Sequence, residues 1–376
     1  MKSSSIILKR ILLGLSGVLL LALLSLGFAV SYTAGCVAGP PGERHGTGMQ
    51  AIRYRCYGDP SVLRLETVDR PVPAADEVLV RVHAASINPL DWHFVRGEPY
   101  LMRLDSGLGR PDDPRVGVDF AGTVEAVGRS VTRFRVGDRV FGAADGAFGE
   151  YLTVRETRSV TRMPTEVTFA EAAAVPVAAL TALQALRDKA GVKPGQKVLI
   201  NGGSGGVGTY AIQIAKALGA EVTGVASTRN QDLMRSLGAD HVIDYTRVKF
   251  TDGRQRYDAI IDNVGTESPL ALRKVLTPDG VVVMVGSTDK GVWLGPLMAP
   301  LKAMVVAPFV TQRYEMILAA MNAADLDTLA RMLADGQIRS SIDRRYPLAE
   351  LPAGVAYLER GRARGKVVID VIGEGK

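Results

Sequence analysis

The chain has 376 residues, of which 47% are hydrophobic, enough to fill the cores of two ordinary domains. Its net charge of +6 is mild for that length, and no basic run interleaved with aromatics is present, which speaks against nucleic acid as a partner. The only cysteines, Cys36 and Cys56, exclude a disulfide framework, and no internal repeat or low-complexity tract is present.

At the N-terminus, Lys2, Lys9 and Arg10 precede an uncharged, leucine-rich run from Ile11 to Val30. Roughly twenty helical residues just span a hydrocarbon core of about 30 Å. Three readings stand side by side: a signal-anchor helix, a cleaved signal peptide, or a lipoprotein signal ending at Thr33-Ala34-Gly35-Cys36. The run is long for a cleaved segment, and Thr33 departs from the usual aliphatic residue, so a single uncleaved membrane helix is the leading expectation. Gly39 through Gly48 reads as a linker, which makes residues 1–48 a separate unit.

From Met49 the chain is rich in short strands. Glu77–Val82 alternates around Val78, Val80 and Val82, and a glycine-punctuated segment, Asp119–Gly128, leads to Val136-Gly137-Asp138-Arg139-Val140-Phe141-Gly142. Short strands with Gly and Pro turns predict a barrel-like β-domain. From about Ala172 the pattern becomes helices alternating with apolar strands: Lys197–Asn201, Glu221–Ala226, His241–Ile243, Asp258–Asp262 and Val281–Val285. That alternation predicts an α/β unit, a doubly wound parallel sheet of the Rossmann type. The final strand, Lys366–Val371, is expected to return to the first domain. The expected division is thus 49–172 with 316–376 for the β-domain and 173–315 for the nucleotide domain, with a ligand cleft between them.

The most specific motif is Gly203-Ser204-Gly205-Gly206-Val207-Gly208, which follows the apolar strand Val198–Asn201 and opens a helix. In such a loop Gly203 allows the tight turn, Gly205 lets backbone approach a pyrophosphate, and Gly208 lets helix and strand pack closely. The helix N-terminus offers unpaired N–H groups to the anion. Dinucleotide binding follows. At the end of the next strand, Val225-Ala226-Ser227-Thr228-Arg229-Asn230 carries no carboxylate to bind a ribose 2′-OH. Ser227 and Arg229 are instead donors for a 2′-phosphate, which favours NADPH. Asn263 and Val264, and likewise Gly286 and Ser287, follow strands at their carboxyl ends, where cofactors bind.

From Met49 onward the chain resembles the medium-chain dehydrogenase/reductase superfamily, in its zinc-free, quinone-oxidoreductase-like branch. The resemblance is carried by Ala84-Ala85-Ser86-Ile87-Asn88-Pro89-Leu90-Asp91-Trp92, Gly117-Val118-Asp119-Phe120-Ala121-Gly122 and Val136–Gly142. It continues through Ala173-Ala174-Val175-Pro176, Leu180-Thr181-Ala182, the glycine loop, Leu237–Asp244 and Gly365-Lys366-Val367-Val368. The resemblance implies a Rossmann domain inserted in a GroES-like β-barrel domain and a homodimer formed through the nucleotide domain. Zinc-dependent members place a Cys where this chain has Asn88 and a His-Glu pair where it has Val118-Asp119. His83 and His93, the nearest imidazoles, read as structural or cleft-lining, so no metal is expected.

Without a Lewis acid, the easier hydride acceptors are already electron-poor: quinones and α,β-unsaturated carbonyls. The resemblance accordingly implies NADPH-dependent reduction of such a small molecule. Alternatives are a zinc-free alcohol dehydrogenase or carbonyl reductase, and an NADPH-binding sensor without turnover. Asn88 is a candidate donor to the acceptor oxygen, or else a turn-stabilising residue before Pro89. Asp91 is expected to hold Asn88 or a water, Thr181 to contact the nicotinamide ribose or amide, and Lys366 to reach a cofactor phosphate. Tyr100 is a candidate proton donor, with a packed cleft tyrosine as the other reading. The apolar, proline-interrupted segment Val292–Val310 reads as a dimer interface or cleft lid, or as a portal for a lipid-soluble acceptor. Membrane topology conflicts with this chemistry: the basic N-terminal flank favours carriage across the membrane, whereas a soluble cofactor belongs on the cytoplasmic side.

Overall fold

A computed structural model describes the backbone of residues 2–36, 48–289 and 291–372. The expected linker from Gly39 lies almost wholly outside the described residues. The β-domain contains β1 (Gly48–Arg53), β2 (Arg64–Asp69), β3 (Glu77–Ile87), β4 (Asp119–Val127), β5 (Arg139–Ala143), β6 (Tyr151–Arg155) and β7 (Val160–Arg162). The nucleotide unit follows with β8 (Lys197–Asn201), β9 (Glu221–Ala226), β10 (His241–Asp244), β11 (Tyr257–Asp262), β12 (Leu276–Met284) and β13 (Arg313–Met316). The chain then closes with β14 (Ile342–Pro347) and β15 (Lys366–Asp370).

Six parallel strands pair in the order β10-β9-β8-β11-β12-β13. The order reverses between β8 and β11, so the crevice at their carboxyl ends is where a nucleotide binds in such sheets. The central strands are covered on both faces. Val198, Leu199 and Ile200 of β8 are therefore all fully buried, as a continuous apolar run requires. The second large sheet runs β14-β15-β3-β4-β5-β7, with β6 also paired to β3. As expected, the last strand returns to the first domain: β15 lies antiparallel to β3, with Val368 opposite Ser86 and Val367 opposite Ile87. That return sets the residue before β15 beside the glycine loop after β8, through a bridge between Gly205 and Gly365.

The N-terminal run corrects one expectation. It forms the helix Lys2–Ser31, but among the described residues no helix is long and apolar enough to cross a membrane. The end of this helix is docked on the protein: Val30 is buried, and Ala34 donates its N–H to the Gly109 carbonyl at 2.8 Å. The lipoprotein reading is corrected as well. Cys36 forms a disulfide with Cys56, with the Cα atoms 4.8 Å apart, so its sulfur is not free to carry a lipid. One crosslink thus stands where no framework was expected.

Candidate active site

The glycine loop is shaped by contacts that forbid side chains. Gly208 opens the packing between β8 and the helix Gly206–Ala217, and an added Cβ there would lie 2.2 Å from the Gly202 carbonyl oxygen. Gly205 is the residue before that helix, in extended conformation, with nothing closer than 3.5 Å to its Cβ position. The turn itself differs from expectation. The left-handed residue is Gly202, at φ +77°, whereas Gly203 is needed because a Cβ would meet Met234 Sδ at 2.7 Å.

Around this loop the described polar groups converge. The Ser204 carbonyl accepts from Gly365 N–H at 2.8 Å, and its hydroxyl accepts from Asn230 Nδ2 at 3.0 Å. Ser227 directly follows β9, and its Oγ is 3.3 Å from the same Asn230 nitrogen. Arg229 is exposed and donates to the Arg362 carbonyl at 2.7 Å, bridging β9 to the loop before β15. Sequence reasoning missed a neighbour here: Asp244 ends the adjacent β10 opposite Ala226 and accepts from Thr228 Oγ1 at 2.5 Å. Thr246 takes its other oxygen, and these bonds hold the carboxyl below the usual range.

Beneath the loop lies a buried network joining the two domains. Asn88 precedes the helix Pro89–Arg96, and its Nδ2 donates to Asp119 Oδ2 at 2.8 Å. Lys366 Nζ donates to Asn88 Oδ1 at 2.5 Å and lies 3.3 Å from Asp119 Oδ2. Ser86 Oγ adds a third donor to that oxygen at 2.9 Å, while Val177 N–H binds Oδ1 at 2.9 Å. All four side chains are buried, which is tolerable for charge only when every partner is present. Lys366 thus departs from its expected role: its ammonium is held by Asn88 and Asp119 rather than aimed at the loop. Its aliphatic stem lies against Gly206 instead.

Asp91 sits one turn into the same helix and accepts from Asn88 N–H at 2.7 Å. Burial pushes its carboxyl up to about 7, with Asp119 adding to the rise and the Asn88 bond opposing it. Thr181, on the helix Pro176–Gln184, donates to the Val177 carbonyl at 2.7 Å, one turn back toward Asp119's partner.

Between the domains, Trp92, His93, Pro99, Gly291 and Pro296 border a cavity of about 200 Å³. His93 Nδ1 faces the Glu98 carbonyl at 2.7 Å, and burial lowers its pKa. His83 lies apart on β3, with its ring stacked on Phe169 at 4.1 Å. Tyr100 is packed at the seam: its ring meets Trp293 edge-on at 5.1 Å and carries the Arg103 guanidinium at 4.6 Å. The segment beyond it forms the surface helix Met298–Val306, with Met304, Val305 and Phe309 exposed.

Comparison with known proteins agrees with this arrangement. Residues 74–185 match the alcohol dehydrogenase GroES-like domain, and residues 237–369 match the family described as zinc-binding dehydrogenase. A chloroplast envelope quinone oxidoreductase homolog of Arabidopsis thaliana is 32% identical over 345 residues, covering 86% of this chain and 98% of that protein. The chain belongs to the medium-chain dehydrogenase/reductase superfamily, in its quinone-oxidoreductase-like branch. It is a nicotinamide-dependent oxidoreductase. A 2-methylene-furan-3-one reductase of Solanum lycopersicum is 35% identical, covering 86% of this chain and 79% of its own length. The solved quinone oxidoreductase of Coxiella burnetii superposes with a TM-score of 0.76 at 31% identity, over 86% of this chain and all of its own.

The residues fit the cofactor of this superfamily. Two buried acceptors, Asn263 Oδ1 and Asn230 Oδ1, have no hydrogen-bond partner among the described residues. One lies just beyond β11 and the other beside Ser204 and Ser227. Leaving such atoms unmet is costly, and the hydroxyls and amide of a dinucleotide are suitable donors. Val264 and Gly265 are held by Asp262 Oδ1 at 3.1 and 3.0 Å, and Gly286 and Ser287 extend beyond the neighbouring β12. A metal is served less well. Among the described residues no three His, Cys, Asp or Glu side chains are grouped to hold one, and Asn88 and Asp119 are bound to each other and to Lys366.

Proposed function

We propose that this oxidoreductase works without zinc, prefers NADPH, and reduces a quinone or an α,β-unsaturated carbonyl. The observation that supports the reading is the Asn88–Lys366–Asp119 network, in which the residue at the position that is Cys in zinc-dependent members is bound to a buried ammonium and carboxylate. In such a network the Lys366 charge is neutralised by Asp119 and no coordination position is open, so an acceptor must already be electron-poor.

When bound, the reduced nicotinamide supplies the hydride. Ser204, Gly205, Gly206 and Val207 would hold the pyrophosphate, and Ser227 and Arg229 the 2′-phosphate, with Asp244 engaged by its threonines. Asn263, Val264, Gly286 and Ser287 would orient the nicotinamide end together with Thr181. The second Nδ2 proton of Asn88 is the donor left for an acceptor oxygen. Asp91 keeps Asn88 in register. The names of the relatives, a quinone oxidoreductase homolog and a furanone reductase, support this substrate class. A homodimer through the nucleotide domain belongs to the same reading, favoured by the open edge of β13 and the exposed Met304, Val305 and Phe309.

The test is NADPH oxidation by the full chain against 1,4-benzoquinone, 9,10-phenanthrenequinone and a 2-alkenal, with and without chelator. Turnover should survive chelation, and Ser227→Asp should weaken NADPH at least tenfold while sparing NADH. Loss of activity on chelation, restored by zinc, would contradict the metal-free reading.

A further inference from the structure

Arg103 has no part in the cofactor or metal chemistry, yet its side chain is almost wholly buried, at 2% exposure. Burying a guanidinium is expensive unless each donor finds an acceptor. Here the acceptors are the carbonyls at the ends of two helices. Nε donates to Gly97 O at 2.8 Å and Nη2 to Arg96 O at 3.3 Å, closing the helix Pro89–Arg96. Nη1 lies 3.2 Å from both Val30 O and Ser31 O, 2.9 Å from Tyr32 O and 3.0 Å from Thr33 Oγ1, closing the helix Lys2–Ser31. A cation at a helix C-terminus is favoured by the helix dipole and by unpaired carbonyls. One guanidinium serves both ends at once.

The same group stacks over Tyr57 at 4.5 Å and over Tyr100 at 4.6 Å. Tyr100 continues the chain of contacts, since its N–H donates to Val292 O at 2.7 Å and its ring meets Trp293. Trp293 in turn lies against the N-terminal helix, 3.7 Å from a Cβ built on Gly27. Part of the lining of the interdomain cavity is reached by this circuit: Trp92, His93 and Arg96 through the clamped helix, Pro99 beside Tyr100, and Gly291 beside Val292; Asp289, Pro296 and Glu359 line it outside the circuit.

We infer that Arg103 is a positioning residue for the hydride acceptor, and that residues 27–36 form an outer buttress of the acceptor cavity rather than a detachable leader. That the acceptor enters this cavity is part of the inference and presupposes the function proposed above; the mechanical coupling does not. The disulfide between Cys36 and Cys56 fixes the far end of the same buttress.

The experiment combines hydrogen–deuterium exchange with kinetics on the full chain carrying Arg103→Lys, which keeps charge but cannot span both helix ends. Exchange should quicken in 27–36, 89–97 and 291–297 together. The KM for 9,10-phenanthrenequinone should rise about tenfold with the NADPH Kd within twofold, a split that a general loss of folded enzyme would not give. Faster exchange confined to 27–36, with an unchanged KM, would overturn the inference. Should Arg103→Lys fail to fold, Trp293→Leu probes the same circuit from the surface, where faster exchange at 291–297 with 27–36 untouched would also overturn it. If no quinone or enone is turned over while the three segments still respond together, the substrate reading fails and the buttress stands.

Discussion

Asn88 shows how far single residues could be read from the chain. Its place in the motif before Pro89 marked it as the successor of a metal ligand, and its two side-chain ends could be assigned chemistry. Its partner could not, because Lys366 lies 278 residues away and meets it only through the pairing of β15 with β3. Lysine in a glycine-flanked loop suggests a phosphate ligand; burial against Asp119 gives it another task. Asp91 carries a consequence that can be measured. Its carboxyl is raised from 3.8 to about 7 mainly by burial, so the folded state holds a proton that the unfolded chain releases. The contribution to stability is therefore full below about pH 4 and is lost as pH rises toward 7. Asp91→Asn keeps the acceptor for Asn88 N–H and removes the ionisation. Melting temperatures recorded from pH 5 to pH 8 should fall less steeply for the variant than for the parent; parallel curves would show that Asp91 ionises without penalty.

At the level of elements, the strand–loop–helix around Gly203–Gly208 was legible because backbone sterics leave few ways to build it. The strand Lys197–Asn201 and the helix after it form where the apolar run and the glycines place them. The division of labour among the glycines was less legible, since Gly202 takes the positive φ and Gly203 yields to Met234, a residue from the helix Gln231–Ser236. Only the folded packing reveals that neighbour. Gly208→Ala tests the closest approach. A methyl group 2.2 Å from the Gly202 carbonyl must push helix and strand apart, at about 1–3 kcal/mol for such overpacking. Urea unfolding should register that loss, and NADPH titration should show at least tenfold weaker binding. Unchanged affinity would mean that the loop tolerates a wider gap than its geometry indicates. The N-terminal helix was legible as a helix, but its docking was not: the acceptors at its end are taken by Arg103, a residue that no local pattern connects to it.

Across the whole molecule, one nucleotide sheet is set into a β-domain that the chain leaves after β7 and re-enters at β14. That excursion was readable from the switch between short strands and alternating helices. What it creates was not: Gly365 bridges to Gly205, Lys366 is driven under the loop, and the interdomain cavity gains walls from both units. Glycine loop, buried ion pair and interdomain cavity are thereby fixed by one chain reversal. On the proposed function, this arrangement delivers hydride to conjugated carbon without a metal to polarise the carbonyl. That delivery is tested most directly by reducing a 2-alkenal with NADPH deuterated at the transferred position and locating the label by NMR. Deuterium is expected at C3 of a saturated aldehyde; deuterium at C1 of an allylic alcohol would overturn the proposed conjugate reduction.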